Sequence, residues 1–183
     1  MFESGGSKGS PSDKDLIRLL RRHLPQRGRL LDGGQNMIEF FLPMIPPTVT
    51  QQEHEFKIVK GRVIVYDPPR LKEARQKFMG LLLAQKHRMP GWDFIFPLEG
   101  PLRLVTKWIW PCDYIVGEMH ADGEWKVTRP DTDNLIKLFK DCMTRTHYWG
   151  DDAQVCSEIT EKFFGERPGI YVRVEQIGDG DGR

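Results

Sequence analysis

Pro130 restricts this 183-residue chain more than any other single position. Proline disfavours helical backbone at the residue before it, so Arg129 is expected to be extended and no helix can begin much earlier. Just beyond it, Leu135, Ile136, Leu138, Phe139 and Cys142 recur at helical spacing. That pattern predicts an amphipathic helix over residues 132–144, with Asp131 or Thr132 as its N-cap. An extended segment therefore hands over to a helix within a few residues, and two carboxylates, Asp131 and Asp133, lie on the junction. In extended backbone, side chains two apart point the same way, so the pair is expected to project together.

The rest of the domain is expected to alternate strands and helices around this junction. A first strand is expected at 37–42, followed by the turn-forming Pro43, Pro46 and Pro47. Two β-rich arms around Lys60-Gly61 read as a hairpin over 56–66. Pro68-Pro69 then opens a helix that buries Leu71, Ala74, Phe78, Leu81 and Leu82 and ends near Arg88, before Pro90. A strand over 101–110 is expected to be central, and strands at 154–164 and 170–177 close the chain. The fold class is α/β (α+β): one mixed sheet with two main helices packed against it. The length suits a single domain, placed at 37–177. Upstream lies a flexible extension, residues 1–36, with a short amphipathic helix marked by Leu16, Ile17, Leu19, Leu20 and Leu24. Residues 178–183 form a polar tail.

Composition narrows the class of function. No apolar run approaches the ~20 residues of a membrane helix, and three scattered cysteines argue against a zinc site or disulfide framework. A soluble cytoplasmic protein without an organic cofactor is expected. Net charge is only +1, yet residues 57–88 carry nine basic side chains against Asp67 and Glu73. Lys57, Lys60, Arg62, Arg70, Lys72, Arg75 and Lys77 of that stretch, together with Arg129, are the candidate phosphate contacts. A solvated helix face explains the same charges equally well.

The chemistry concentrates in TRPDTDNLIKLFKDCMTRTHYWGDDAQV, residues 128–155. Two carboxylates at ~4 Å repel by about 4 kcal/mol at an effective dielectric near 20. Such a pair is held together by a proton or a cation, and Mg²⁺, a hard ion that takes oxygen ligands and keeps waters for phosphates, suits it best. Mn²⁺ is the alternative ion. A third acid is available at Asp151-Asp152, in a turn expected to fold back across the helix start. Each piece has a plainer explanation: Asp131 as a cap, Asp133, Lys137 and Asp141 as an ion-pair ladder, and Gly150-Asp151-Asp152 as an ordinary turn. His147, Tyr148 and Trp149 either stack on bases or pack beneath that turn. His54, His87 and His120 show no ligand spacing.

RPDTDNLIK at 129–137, Asp141, and DDAQV at 151–155 resemble the RusA family of Holliday junction resolvases. FLPMIPP, the hairpin, the basic helix from Arg70 and the closing EKFFGERPGIYVRV extend the likeness to residues 37–177. The resemblance implies a Mg²⁺-dependent homodimer that nicks four-way DNA junctions in pairs, often prophage-encoded, in the cytoplasm or nucleoid. It implies Asp131, Asp133 and Asp152 as metal-binding acids, Asp151 as a support or substitute, and Lys137 as the essential lysine. In such an enzyme, metal-activated water attacks the phosphodiester while Lys137 offsets developing charge. Two alternatives keep part of this picture: a broader flap or branched-DNA nuclease, and an inactive DNA-binding adaptor. The loop 113–125, with Asp113, Glu118, Asp122 and Glu124 and no Lys or Arg, departs from what a junction-gripping surface is expected to carry.

Overall fold

A computed structural model of the chain describes residues 29–30, 37–49, 55–112 and 120–178. The expected amphipathic helix near the N-terminus, His54, Asp113, Glu118 and residues 179–183 lie outside the described residues.

Strand β2 (Met37–Pro43) buries Ile38, Phe40 and Leu42 on alternate positions. Strand β5 (Leu102–Pro111) does the same with Leu102, Leu104, Thr106, Trp108 and Trp110. This period-two burial gives the sheet one dry face. Two closing strands, β6 (Val155–Gly165) and β7 (Gly169–Gln176), complete it together with a two-residue strand, β1 (Arg29–Leu30). The order is β1-β2-β7-β5-β6, with all neighbours antiparallel except β5 and β6. β5 is thus interior, as expected, but the middle place belongs to β7. The sheet also reaches upstream of residue 36, since Arg29 pairs with Glu39 and Leu30 with Ile38.

Helix α1 (Pro69–Arg88) starts at Pro68-Pro69, where the missing N–H groups cost nothing. It ends with Lys86, His87 and Arg88, whose charge suits the negative end of its dipole. A single turn, α2 (Trp92–Ile95), follows. Helix α3 (Thr132–Arg145) buries the five expected residues, with Asn134 and Met143 beside them. Phe78 of α1, Phe139 of α3 and Trp108 of β5 meet edge to face, with ring centroids 5.4–6.0 Å apart. Both long helices therefore sit on the dry face of the sheet. The other face is charged: Lys107 pairs with Glu161 at 2.9 Å, Arg173 with Glu175, and the Tyr171 hydroxyl donates to Glu39.

The hairpin forms as expected from β3 (Glu55–Val59) and β4 (Arg62–Tyr66), and it is a two-stranded sheet of its own. Its loop residues, Lys60 and Gly61, have φ of 50° and 75°, the left-handed pair of a primed hairpin turn.

A parallel pair cannot be joined by a tight turn; it needs a crossover. Here the crossover is α3. The helix therefore runs antiparallel to β5 and β6, and side-chain contacts mark its direction. Lys162, late in β6, donates to the carbonyls of Thr128 and Pro130 before the helix begins. Lys140 pairs with Glu158, earlier in β6, at 2.8 Å. The Trp149 indole then reaches back to Thr144 at 2.7 Å, just before β6 starts.

Candidate active site

Asp131 is the N-cap of α3, in extended backbone, and its carbonyl accepts the first helical bond from Leu135 at 3.1 Å. Its carboxylate makes no capping bond. The helix already includes Thr132, so Asp133 belongs to the first turn rather than to an extended run. The expected strand-to-helix junction is thus present, with one acid on its extended side and the other in the first helical turn. Lys137 lies one turn beyond Asp133. All three side chains are exposed and take part in no ion pair among the described residues.

The ladder of Asp133, Lys137 and Asp141 does not form. Asp141 is instead held by Arg75, with Arg145 at 3.4 Å on its other oxygen. Arg75 also donates to Asp67 at 3.2 Å, and its side chain is only 11% exposed. Burial acts to lower its pKa, but the hydrogen bond and charge of Asp141, helped by Asp67, outweigh this and raise it. Arg75 is a clamp between α1 and α3, not a free phosphate contact, which corrects its place in the basic patch. Lys86 leaves the patch too: it is buried, donating to the carbonyls of Thr146 and His147 at 3.1 and 2.8 Å. Lys60, Arg62, Arg70, Lys72, Lys77 and Arg129 remain exposed. Lys57 is part of β3.

The acidic pair is held in place by a residue that the motif does not mark. Lys162 donates 2.8 and 2.7 Å bonds to Thr128 and Pro130, the segment that delivers Asp131. Lys126 lies beside it, above the Trp110 and Phe164 rings, with its own pKa lowered by burial and then by the charge of Lys162. A lysine in a closing strand resembles any surface lysine, so no sequence signal singled out Lys162.

At the other end of α3, the turn η1 (Asp152–Gln154) separates the two neighbouring acids by role. The Asp151 carboxylate accepts from the Ala153 N–H at 2.8 Å, closing a capping box with Gln154. The Gln154 side chain accepts from Gly150 and Asp151 and donates to the carbonyls of Leu98 and Gly100. Asp152 is exposed, with no side-chain partner among the described residues. Of the two, only Asp151 has its carboxylate engaged in the cap.

The structure does not bring Asp152 to Asp131 and Asp133 within one chain. The fourteen residues of α3 stand between them, about 21 Å at the helical rise. No group of three or more His, Cys, Asp or Glu side chains gathers closely enough to hold a metal among the described residues. The turn at 151–152 folds against the end of the helix, and the expectation that it crosses the helix start is overturned. Tyr148 and Trp149 are fully buried and pack beneath the turn, with the Tyr148 hydroxyl donating to Leu82 at 2.9 Å. His120 stacks on Phe164 with ring centroids 3.6 Å apart and bonds Glu124, whose pKa is lowered mainly by that bond.

The chain is 29% identical over 139 residues to a crossover junction endodeoxyribonuclease rusA of Lactococcus phage r1t, covering 76% of this chain and 96% of the relative. It is 27% identical over 136 residues to the uncharacterized protein YqaN of Bacillus subtilis strain 168, covering 70% and 90%. Residues 45–175, spanning the hairpin, both long helices and the closing strands, match the family described as Endodeoxyribonuclease RusA, and the chain belongs to that family of DNA-cutting hydrolases.

Proposed function

We propose that this chain resolves four-way DNA junctions by paired nicks, as a divalent-metal-dependent nuclease. The observation that carries this is the partnerless pair Asp131 and Asp133 at the first turn of α3, with the equally partnerless Lys137 one turn on, in a chain of this family. A junction substrate is supported by the name of the phage relative, nearly all of whose length is matched.

Exposed carboxylates without protein partners suit Mg²⁺ or Mn²⁺, and Asp131, Asp133 and Asp152 are the residues that would hold the ion. When bound, it supplies Lewis-acid activation of water and phosphate. One chain alone does not assemble the three acids. What the chain does provide is fixed charge near the acids. Lys137 presents an ammonium to neutralise charge that builds on the phosphate, a role needing no proton transfer. Lys60 and Arg62 at the hairpin tip and Arg70, Lys72 and Lys77 on α1 are free to meet backbone phosphates.

Incubation with Mg²⁺ and matched four-way, flap and duplex DNA tests this reading. Symmetric nicks confined to the junction are expected. Cutting of all three substrates would make the protein a general branched-DNA nuclease, and binding without cutting would make it an adaptor. Asp133→Asn is expected to abolish cleavage yet leave junction binding unchanged or tighter, because repulsion from phosphate is removed. Normal cutting by that variant would sink the assignment.

A further inference from the structure

Resting on that proposal, we infer that Lys126 and Lys162, with the Thr128 hydroxyl, form a subsite for a DNA backbone phosphate that flanks the cut, separate from the phosphate being cut. The segment before Asp131 runs alongside the end of β6. Trp125 stands opposite Phe163 in antiparallel pairing, with the Phe164 N–H donating to Glu124 at 2.8 Å and the Lys126 N–H to Lys162 at 3.1 Å. Lys126 and Lys162 are therefore direct cross-strand partners whose side chains leave the same face, an arrangement that destabilises like charges. Their closeness shows in Lys126, whose pKa is lowered by burial and then by the charge of Lys162. Neither lysine forms an ion pair among the described residues. The acids nearest in sequence are engaged elsewhere. Glu124 accepts from the Ala121 N–H at 2.9 Å and pairs with His120, and Glu161 pairs with Lys107 on the other face of the sheet. Two cations set side by side with no carboxylate to share suit a visiting anion.

The surrounding contacts fix the pair and leave protons to spare. An ammonium has three donors; Lys162 directs bonds to the carbonyls of Thr128 and Pro130, and Lys126 directs one to the Thr128 hydroxyl at 2.6 Å. That hydroxyl keeps its own proton for a further acceptor. The Lys126 ammonium lies over two rings, 5.3 Å from the centroid of Trp110 and 5.1 Å from that of Phe164. Trp110 is only 6% exposed, and its buried indole N–H has no partner among the described residues. Donors thus exceed acceptors at this spot. Thr128 and Arg129 are exposed, so the site opens to the surface rather than closing around a small ion, which suits a phosphate carried on a strand. Thr128 stands three residues before Asp131, at most about 11 Å of extended chain. A neighbouring phosphate of the cut strand reaches that far.

Methylphosphonate scanning tests the subsite. Junctions with one neutral methylphosphonate, placed at each position near the cut in turn, are bound to the full-length protein without divalent ion, so binding is read apart from cutting. One substitution beside the scissile phosphate is expected to weaken wild type about tenfold and to leave the already weaker Lys126→Met unchanged. Lys126→Arg is expected to restore the sensitivity, and the salt slope of Lys126→Met to be shallower by about one. Thr128→Val, on an exposed position, is expected to blunt the same position and serves if Lys126→Met does not fold. Mn²⁺ binding without DNA is expected to match wild type in both variants. A substitution that costs wild type and variant the same factor overturns the inference. So does a loss of Mn²⁺ binding in Lys126→Met without DNA, which would make Lys126 purely structural. Calorimetry with inorganic phosphate is the last arm: saturable binding beside a flat scan would assign the pair to a free anion and overturn the DNA subsite. Wild type that cuts the junction while the scan is flat keeps the nuclease proposal and rejects the subsite; wild type that neither binds nor cuts rejects both.

Discussion

The two ends of α3 solve the same problem by different chemistry. At its start, a single long ammonium from a distant strand reaches across to carbonyls and steadies the segment that presents Asp131. At its finish, a short neutral amide, Gln154, satisfies four backbone groups at once and locks the turn that presents Asp152. One end is steadied by charge across a long sequence separation, the other by local hydrogen-bond closure. A carboxylate without a protein partner is exposed in both cases, and a residue close by in the chain or the sheet holds its segment.

The sharpest way to break the comparison is to remove what both ends share. Phe139 packs between Phe78 and Trp108 at the middle of the helix, so Phe139→Ala should cost about 3–5 kcal/mol, measured by urea unfolding. If both ends are held independently of the helix core, stability will scarcely change, and the idea of α3 as a rigid spacer fails. A finer test separates the clamps. Lys162→Met and Gln154→Ala should each weaken Mn²⁺ binding by roughly 10–100-fold, the usual cost of losing a group that orients a ligand. Greater sensitivity to salt in the wild type than in Lys162→Met would show that charge steadies the first end; the Gln154→Ala comparison should show no such difference. The smallest effect belongs to the half-exposed pair of Lys140 and Glu158. It guides α3 along β6 but should contribute at most about 1 kcal/mol, checked by a double-mutant cycle.

Much of the fold was legible because local rules dominate there. Pro130 placed the helix start within a residue, the apolar stripe named the buried face of α3, and Lys60-Gly61 announced the hairpin turn. The site was only partly legible. Asp131, Asp133 and Asp152 are the acids the sequence offers as ligands, but the distance between them depends on strand direction, which residue spacing does not encode. β5 and β6 proved parallel, and the helix joining them necessarily separates its own ends. Arg75 illustrates a second limit. A guanidinium looks the same in sequence whether it faces phosphate or the carboxylates of Asp67 and Asp141, and here it faces the carboxylates.

The hairpin β3–β4 stands as a ribbon of two strands, with Ile58 and Val63 exposed along it and Lys60 and Arg62 at its tip. A ribbon that narrow draws little rigidity from its own pairing. Whatever it grips must therefore supply the stiffness, at about 0.5–1.5 kcal/mol for each long side chain brought to rest. If Lys60 and Arg62 make the proposed phosphate contacts, the tip gains reach around a duplex and gives up some tightness of grip, which would favour release once the strand is cut.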